Sequence, residues 1–160
     1  MANIPLETDS HPLLKLEGVG RRFQMGQVAV DALKDVSIEV HPGEFLVMVG
    51  PSGSGKSTAL NIIGGLDCAT DGRVWYQGND ISGFSSSQLN RYRRDTIGFV
   101  FQFYNLVPNL TARENVMVST EISQDPIDVD EALRLVDLED RRDHFPAQLS
   151  GGEQQRVAIA

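Results

Sequence analysis

Residues Gly50-Pro51-Ser52-Gly53-Ser54-Gly55-Lys56-Ser57-Thr58 bring glycines, one cation and several hydroxyls together at fixed spacing. The pattern is G-x-x-x-x-G-K-[ST], and its parts have separate tasks in holding phosphate. The glycines reach backbone angles that turn successive N–H groups inward, so the loop can cradle anionic oxygens. A helix starting at the end of the loop adds a positive dipole end and unpaired N–H donors. Lys56 supplies the cation for the β- and γ-phosphates, and the Ser57 hydroxyl is the candidate Mg²⁺ ligand. Thr58 can donate a further hydrogen bond to phosphate. The competing reading is a glycine-rich turn that binds nothing. A phosphate loop also demands a strand before it and a helix after it, and the sequence offers both. Phe45–Val49 is continuously apolar, as in a strand covered on both faces, and Ser57–Ile63 has helical spacing that ends at Gly64-Gly65. Together these features point to ATP binding.

The elements around this loop set the architecture. Residues 1–12 read as a flexible lead-in, and residues 13–160 as one ATP-binding domain. Leu13–Val19, Val28–Leu33 and Val36–Val40 are short β-type runs with turn-like separators, which predict a small antiparallel sheet. Arg73–Gln77 and Ile97–Phe101 read as further strands. Ser85–Arg94 reads as an exposed polar helix, with serines available as N-caps and arginines toward its C-terminal end. Thr111–Val118 carries a capping signature, Thr111 with Glu114 three residues on, and Val129–Leu138 is also helical. A last helix starts at Gly152 and runs to Ala160. The pattern is α/β, with a helical lobe over roughly residues 103–150.

Composition narrows the function classes. The chain has 160 residues, room for one domain with a proper core. A formal charge of −8 argues against a broad footprint on nucleic acid or on an anionic membrane. Cys68 is the single cysteine, so no internal disulfide is expected, and it reads as a small buried hydrophobe rather than a reactive thiol. No apolar run is long enough for a membrane span, and the first ten residues carry no basic and apolar leader pattern. A cytoplasmic setting is expected. His11, His41 and His144 lack partners at metal-ligand spacing and read as structural or solvated.

The end of the chain separates this loop from those of kinases and GTPases. Leu149-Ser150-Gly151-Gly152-Glu153-Gln154-Gln155 resembles the signature of ATP-binding cassette (ABC) proteins. Ile97-Gly98-Phe99-Val100-Phe101-Gln102 resembles the strand that ends in that family's Q-loop glutamine. Gly65-Leu66-Asp67 and the stretch Phe101–Pro108 are similar to the subgroup serving lipoprotein release, macrolide-type efflux and FtsE-like complexes. Ala69 and Asp71 depart from the Pro and Ser common there.

The resemblance implies a P-loop core of parallel sheet and helices, an antiparallel β subdomain and a helical subdomain. It implies that Phe23 stacks on adenine, although a core aromatic is the plain alternative. It implies that two copies meet head to tail, each ATP held between one copy's loop and the other's Ser150, Gly151, Gly152 and Glu153. Gln102 would contact Mg²⁺ and the attacking water. The surface around Phe103–Leu110, with Tyr104, Leu106 and Val107 exposed, would dock on a membrane-spanning permease, which would place the chain on the inner face of the cell membrane.

The family also carries an apolar run ending in Asp-Glu, and a switch histidine, after the signature. This sequence has no such stretch, and Val136-Asp137-Leu138-Glu139-Asp140 lacks the apolar run. Two readings stay open: the N-terminal portion of a transporter ATPase, expected to lack the strand beside Phe45–Val49, or a truncated chain without turnover.

Overall fold

The structure, a computed structural model, describes residues 11–123 and 125–160, apart from the side chain of Met25. The lead-in assigned to residues 1–12 therefore lies almost wholly outside the described residues. The chain divides into two units, Met1–Tyr92 and Arg93–Ala160.

The first unit is built on a four-stranded antiparallel sheet in the order β2-β1-β3-β4. β1 (Leu14–Met25) and β2 (Val28–Val40) form a long hairpin closed at Gly26, whose φ of 62° suits glycine. The three short runs expected from the sequence are thus two long strands. The separator at Lys34-Asp35 is a bulge within β2 and not a turn. Asp35 sits at a φ of 49°, the Ser37 hydroxyl accepts from the Gly18 N–H at 3.0 Å, and the pairing register shifts nearby. Bulges absorb an extra residue without ending a strand, which a reading of local turn residues misses.

β3 (Asp71–Tyr76) pairs with the other side of β1, and β4 (Asn79–Asp80) closes on β3. α1 (Lys56–Ile63) buries Ala59 and Ile62 on one face. Leu14, Leu16, Val19, Leu33, Val74 and Ile81 complete the apolar core with them. α2 (Ser86–Thr96) is not the wholly exposed helix expected, because its Tyr92 is only 6% exposed. The Tyr92 hydroxyl donates to the Ile63 carbonyl at 2.9 Å, one of the last carbonyls of α1, which have no partner within the helix. Burial, with a smaller contribution from Tyr76, pushes the Tyr92 phenol up to about 12. Cys68 lies on the surface and not in the core, its N–H donating to the Asp67 carboxylate at 2.8 Å.

Phe45–Val49 corrects the expectation more sharply. The segment forms no ladder, and Phe45 is 90% and Val49 86% exposed. Ile97–Phe101, in the second unit, also forms none. An apolar run becomes a covered strand only when neighbours pair with its backbone and pack its faces, and none among the described residues does so.

The second unit is helical. α3 (Ala112–Thr120) starts from Thr111 in a complete capping box with Glu114. α4 (Val129–Leu135) is capped by Asp128 and stops short of the expected Leu138, since Asp137 turns the chain at a φ of 57°. Leu138 then folds back into a core of Ala112, Val116, Ala132, Leu133, Leu149 and Val157. Arg113 Nε meets Asp130 Oδ1 at 3.0 Å and ties α3 to α4. Two single 3-10 turns, Glu139–Arg141 and Pro146–Gln148, lead to α5 (Gly151–Ile159), one residue earlier than the sequence suggested. No helix among the described residues is long and apolar enough to cross a membrane.

Candidate functional site

The loop of residues 50–58 places its cation against its own backbone. Lys56 Nζ donates to the carbonyls of Gly50 and Pro51 at 2.8 Å each, and to Ser54 Oγ at 3.2 Å. Gly55 caps α1 from the left-handed region at a φ of 88°, and no side chain closes the first turn of the helix. A Cβ on Gly55 would lie 2.5 Å from the Ala32 carbonyl oxygen and 2.7 Å from Leu33 Cδ2. The loop thus rests on the backbone of β2, and only glycine both fits and tolerates that angle. The first N–H groups of a helix have no acceptor within it. An ammonium held on loop oxygens beside such donors is a chemical match for phosphate oxygens. Ser57 is exposed at the second position of α1 and Thr58 is half-buried. Pro51, Ser52, Gly53 and Ser54 form the exposed rim, tightened by a Ser54 N–H to Pro51 carbonyl bond of 3.3 Å.

Phe23 lies in the same unit, on β1 opposite Val30, and is 37% exposed. It is therefore no core aromatic. The Arg21 guanidinium carbon stands 4.5 Å from the ring centroid. Arg21 is itself held by Asp67, through Nη2 to Oδ1 at 2.7 Å and Nε to Oδ2 at 3.0 Å.

In the second unit Gln102 is exposed, in a turn where the Tyr104 N–H reaches the Phe101 carbonyl at 2.9 Å. Tyr104 and Asn105 both take positive φ, 57° and 54°. Phe103 is 82% exposed, but Tyr104 and Leu106 are half-buried, and Leu106 packs on the core of the unit. The expected exposure of these two residues is thus corrected; Leu106 is drawn in because α3 and α5 bury apolar side chains beside it. Asn115 organises the stretch from Val107 to Thr111. Its amide accepts from the Val107 N–H at 2.7 Å and donates to the carbonyls of Val107, Leu110 and Thr111 at 3.2, 3.0 and 2.9 Å.

Ser150, Gly151, Gly152 and Glu153 open α5, and two of them satisfy each other. Ser150 Oγ accepts from the Glu153 N–H at 3.3 Å. The Glu153 carboxylate accepts from the Ser150 N–H at 2.8 Å and from Ser150 Oγ at 2.7 Å. Arg141 Nε adds a third donor at 3.1 Å. The Ser150 contacts first, then Arg141, hold the Glu153 carboxyl down at about 2. Gln154, one position on, donates to the carbonyls of Pro146 and Leu149 at 2.9 and 3.1 Å, so it fixes the turn before the helix.

Arg21, Asp67, Asn115 and Gln154 were not singled out for these contacts from the sequence. Asn115 carried a usable signal, since asparagine inside a helix offsets its poor propensity best when its side chain bonds nearby backbone. No cluster of three or more His, Cys, Asp or Glu able to hold a metal occurs among the described residues, so the candidate metal ligands remain Ser57 in one unit and Gln102 in the other.

Comparison with known proteins gives a consistent picture. The family model described as ABC transporter matches residues 33–160. The chain is 46% identical over 154 residues to a macrolide export ATP-binding/permease protein of Marinobacter nauticus, covering 93% of the chain but 24% of that protein. It is 47% identical over 153 residues to an uncharacterized ABC transporter ATP-binding protein of Thermotoga maritima, covering 92% of the chain and 65% of that protein. Among solved structures, a dimeric post-hydrolysis state of the ATP-binding cassette MJ0796 bound to ADP and Pi aligns with a TM-score of 0.81 at 43% identity, over 91% of this chain and 67% of that one.

Proposed function

Because the chain belongs to the ABC transporter family, we propose that it is the ATP-binding part of a transport motor that hydrolyses ATP with a second copy and drives a membrane permease. The observation that carries the reading is Lys56, whose ammonium rests on loop carbonyls beside an uncapped helix N-terminus. When ATP enters, Lys56 exchanges those carbonyls for β- and γ-phosphate oxygens, and the loop N–H groups of residues 50–58 close on the same anion. Phe23 stacks on the adenine. The Ser57 hydroxyl and Gln102 are the side chains that would hold Mg²⁺, which when bound neutralises charge building on the phosphates. Gln102 also orients the attacking water.

Ser150, Gly151, Gly152 and Glu153 act on the ATP of the second copy, where their helix N-terminus meets the γ-phosphate. The Ser150 hydroxyl turns from Glu153 to do so. Residues 103–150 form the helical subdomain, and the surface led by exposed Phe103 meets the permease. Through that permease the chain sits on the cytoplasmic face of the membrane, serving export or lipoprotein release and no nucleic acid. Both relatives quoted are longer than this chain, so these assemblies belong to the whole protein.

Calorimetry of ATP binding tests the reading. Lys56→Ala is expected to weaken binding by tenfold or more, since a charge-assisted contact contributes about 1.5–3 kcal/mol. Equal affinity for the two proteins would refute the phosphate-loop assignment.

A further inference from the structure

We infer that Asp67 is a positioning residue for base recognition: it fixes Arg21, and Arg21 fixes the ring of Phe23. The inference rests on the proposal that Phe23 stacks on the nucleotide base. All three residues lie in the first unit, where the chain leaving α1 meets the strand that carries the aromatic ring.

The chain of contacts starts at the helix. The N–H groups of Leu66 and Asp67 both bond the Asn61 carbonyl, at 2.8 and 3.1 Å, so the residue after the phosphate-loop helix has a fixed backbone. Its carboxylate is oriented from its own side by the Cys68 N–H at 2.8 Å. It then receives Arg21 through two parallel N–H bonds at 2.7 and 3.0 Å, the two-pronged geometry in which a guanidinium plane cannot swing. Both side chains are only 23% exposed, so water competes weakly for them. On either side of Arg21 the backbone is tied to the same segment: the Thr70 N–H bonds the Gly20 carbonyl at 2.8 Å, and the Arg22 N–H bonds Thr70 Oγ1 at 3.0 Å.

The guanidinium so held lies 4.5 Å from the Phe23 centroid. Arg21 and Phe23 are two apart on β1, and this contact puts their side chains on the same side although the pairing register shifts between Arg21 and Arg22. An exposed phenylalanine on a strand would sample several orientations, and a planar base would have to select one on binding. With a fixed cation against one side of the ring, that selection is made before the base arrives, and the opposite side is the one left to stack. Asp67 and Arg21 also cancel each other's charge, so their effect should fall on the base and not on the triphosphate. Lys56 should do the reverse. The spacing between Gly55 and Asp67 along the chain therefore links the two halves of one ligand.

The test compares two probes, ATP and inorganic tripolyphosphate, by calorimetry at about 0.15 M salt, where a Debye length of about 8 Å limits distant charge effects. The readout is the ratio of their affinities for the whole chain. Arg21→Met and Asp67→Asn alter net charge in opposite directions but break the same support. Both are expected to lower the ratio by about three- to tenfold, the range of a modest cation–π contact. Phe23→Ala is expected to lower it by about fivefold or more, from the loss of base stacking. Asp67→Glu, which keeps the carboxylate, should stay within about twofold of the parent. In the Phe23→Ala background, Arg21→Met should produce no further fall.

A ratio unchanged in Arg21→Met and Asp67→Asn, with Phe23→Ala still lowering it, would overturn the inference and leave base stacking intact. A ratio unchanged in Phe23→Ala would overturn the stacking proposal and the inference with it. If Asp67→Asn melts much lower than the parent, Arg21→Met decides alone, and equal losses of both probes in that variant would mark the pair as merely structural.

Discussion

The helix after the phosphate loop and the helix that opens at the signature both start among glycines, yet they treat their free N–H donors in opposite ways. α1 begins at Gly55 with no side chain to cap it, and the nearby lysine is turned onto loop carbonyls. α5 begins at Ser150 in a closed capping box, and the Glu153 carboxylate there serves three donors. The first terminus leaves its donors without a side-chain acceptor, on a loop held against the backbone of β2, and it is the one we propose takes the phosphates. The second holds a side-chain carboxylate of its own at the terminus that we propose meets the phosphate of the other copy. Glycine content alone would not separate them; the presence of an internal acceptor does.

Replacing glycines should break this comparison most visibly. Gly55→Ala places a Cβ against the Ala32 carbonyl in a left-handed conformation, which together cost about 2–5 kcal/mol. Chemical denaturation should show that loss, and ATP binding should go with it. Gly152→Ala meets only Arg156 Nη1 at 4.0 Å, inside a helical turn, so it should stabilise by about 0.4–1 kcal/mol. If the two alanines cost the same, the loop is not held by β2 as described.

Next in size is the cap. Ser150→Ala should cost about 1 kcal/mol of stability, read from the denaturation midpoint of the second unit, while single-chain ATP affinity stays as it was. A matching fall in single-chain ATP affinity would put the signature in the same site as the loop of its own copy.

Acid should sharpen the contrast more gently. Glu153 has a folded-state value of about 2 against an ordinary 4.5, so its contribution is complete above 4.5 and is lost as pH falls toward 2. Glu153→Gln should therefore be less stable than the parent at neutral pH, with the gap closing across that window. A gap that is constant with pH would mean the carboxylate is not held by the contacts named.

How far the residues spoke in advance depends on the reach of each interaction. The Thr111 cap, the helix after it and the helix after the glycine-rich loop are local patterns and formed within a residue or two of where their residues predicted, while α5 began one residue early because Ser150 caps it. Phe45–Val49 and Ile97–Phe101 have strand-like residues but no paired neighbour, and the outcome depended on partners that no short window contains. β1 ran on to Met25 because bulges near Gly18 and Arg21 let the ladder continue. Arg21 and Asp67 are separated by 46 positions, so no spacing rule could join them. Asn115 is the intermediate case, visible as a misplaced helix residue without revealing which carbonyls it would hold.

The Tyr92 hydroxyl on the Ile63 carbonyl gives the first unit an optical signature. A free phenol ionises near 10 and gains near-ultraviolet absorbance, whereas Tyr92 holds its proton up to about 12. The folded form binds this proton more tightly, so the stability it lends is present at neutral pH and drains away between pH 10 and 12. Ionisation removes the only proton that the exit of α1 receives from this side chain, and turns an attraction toward a carbonyl into a repulsion. In an alkaline titration, late-rising absorbance and loss of the helix exit should be one event, so the colour change reports on the mooring of the phosphate-loop helix without any attached label.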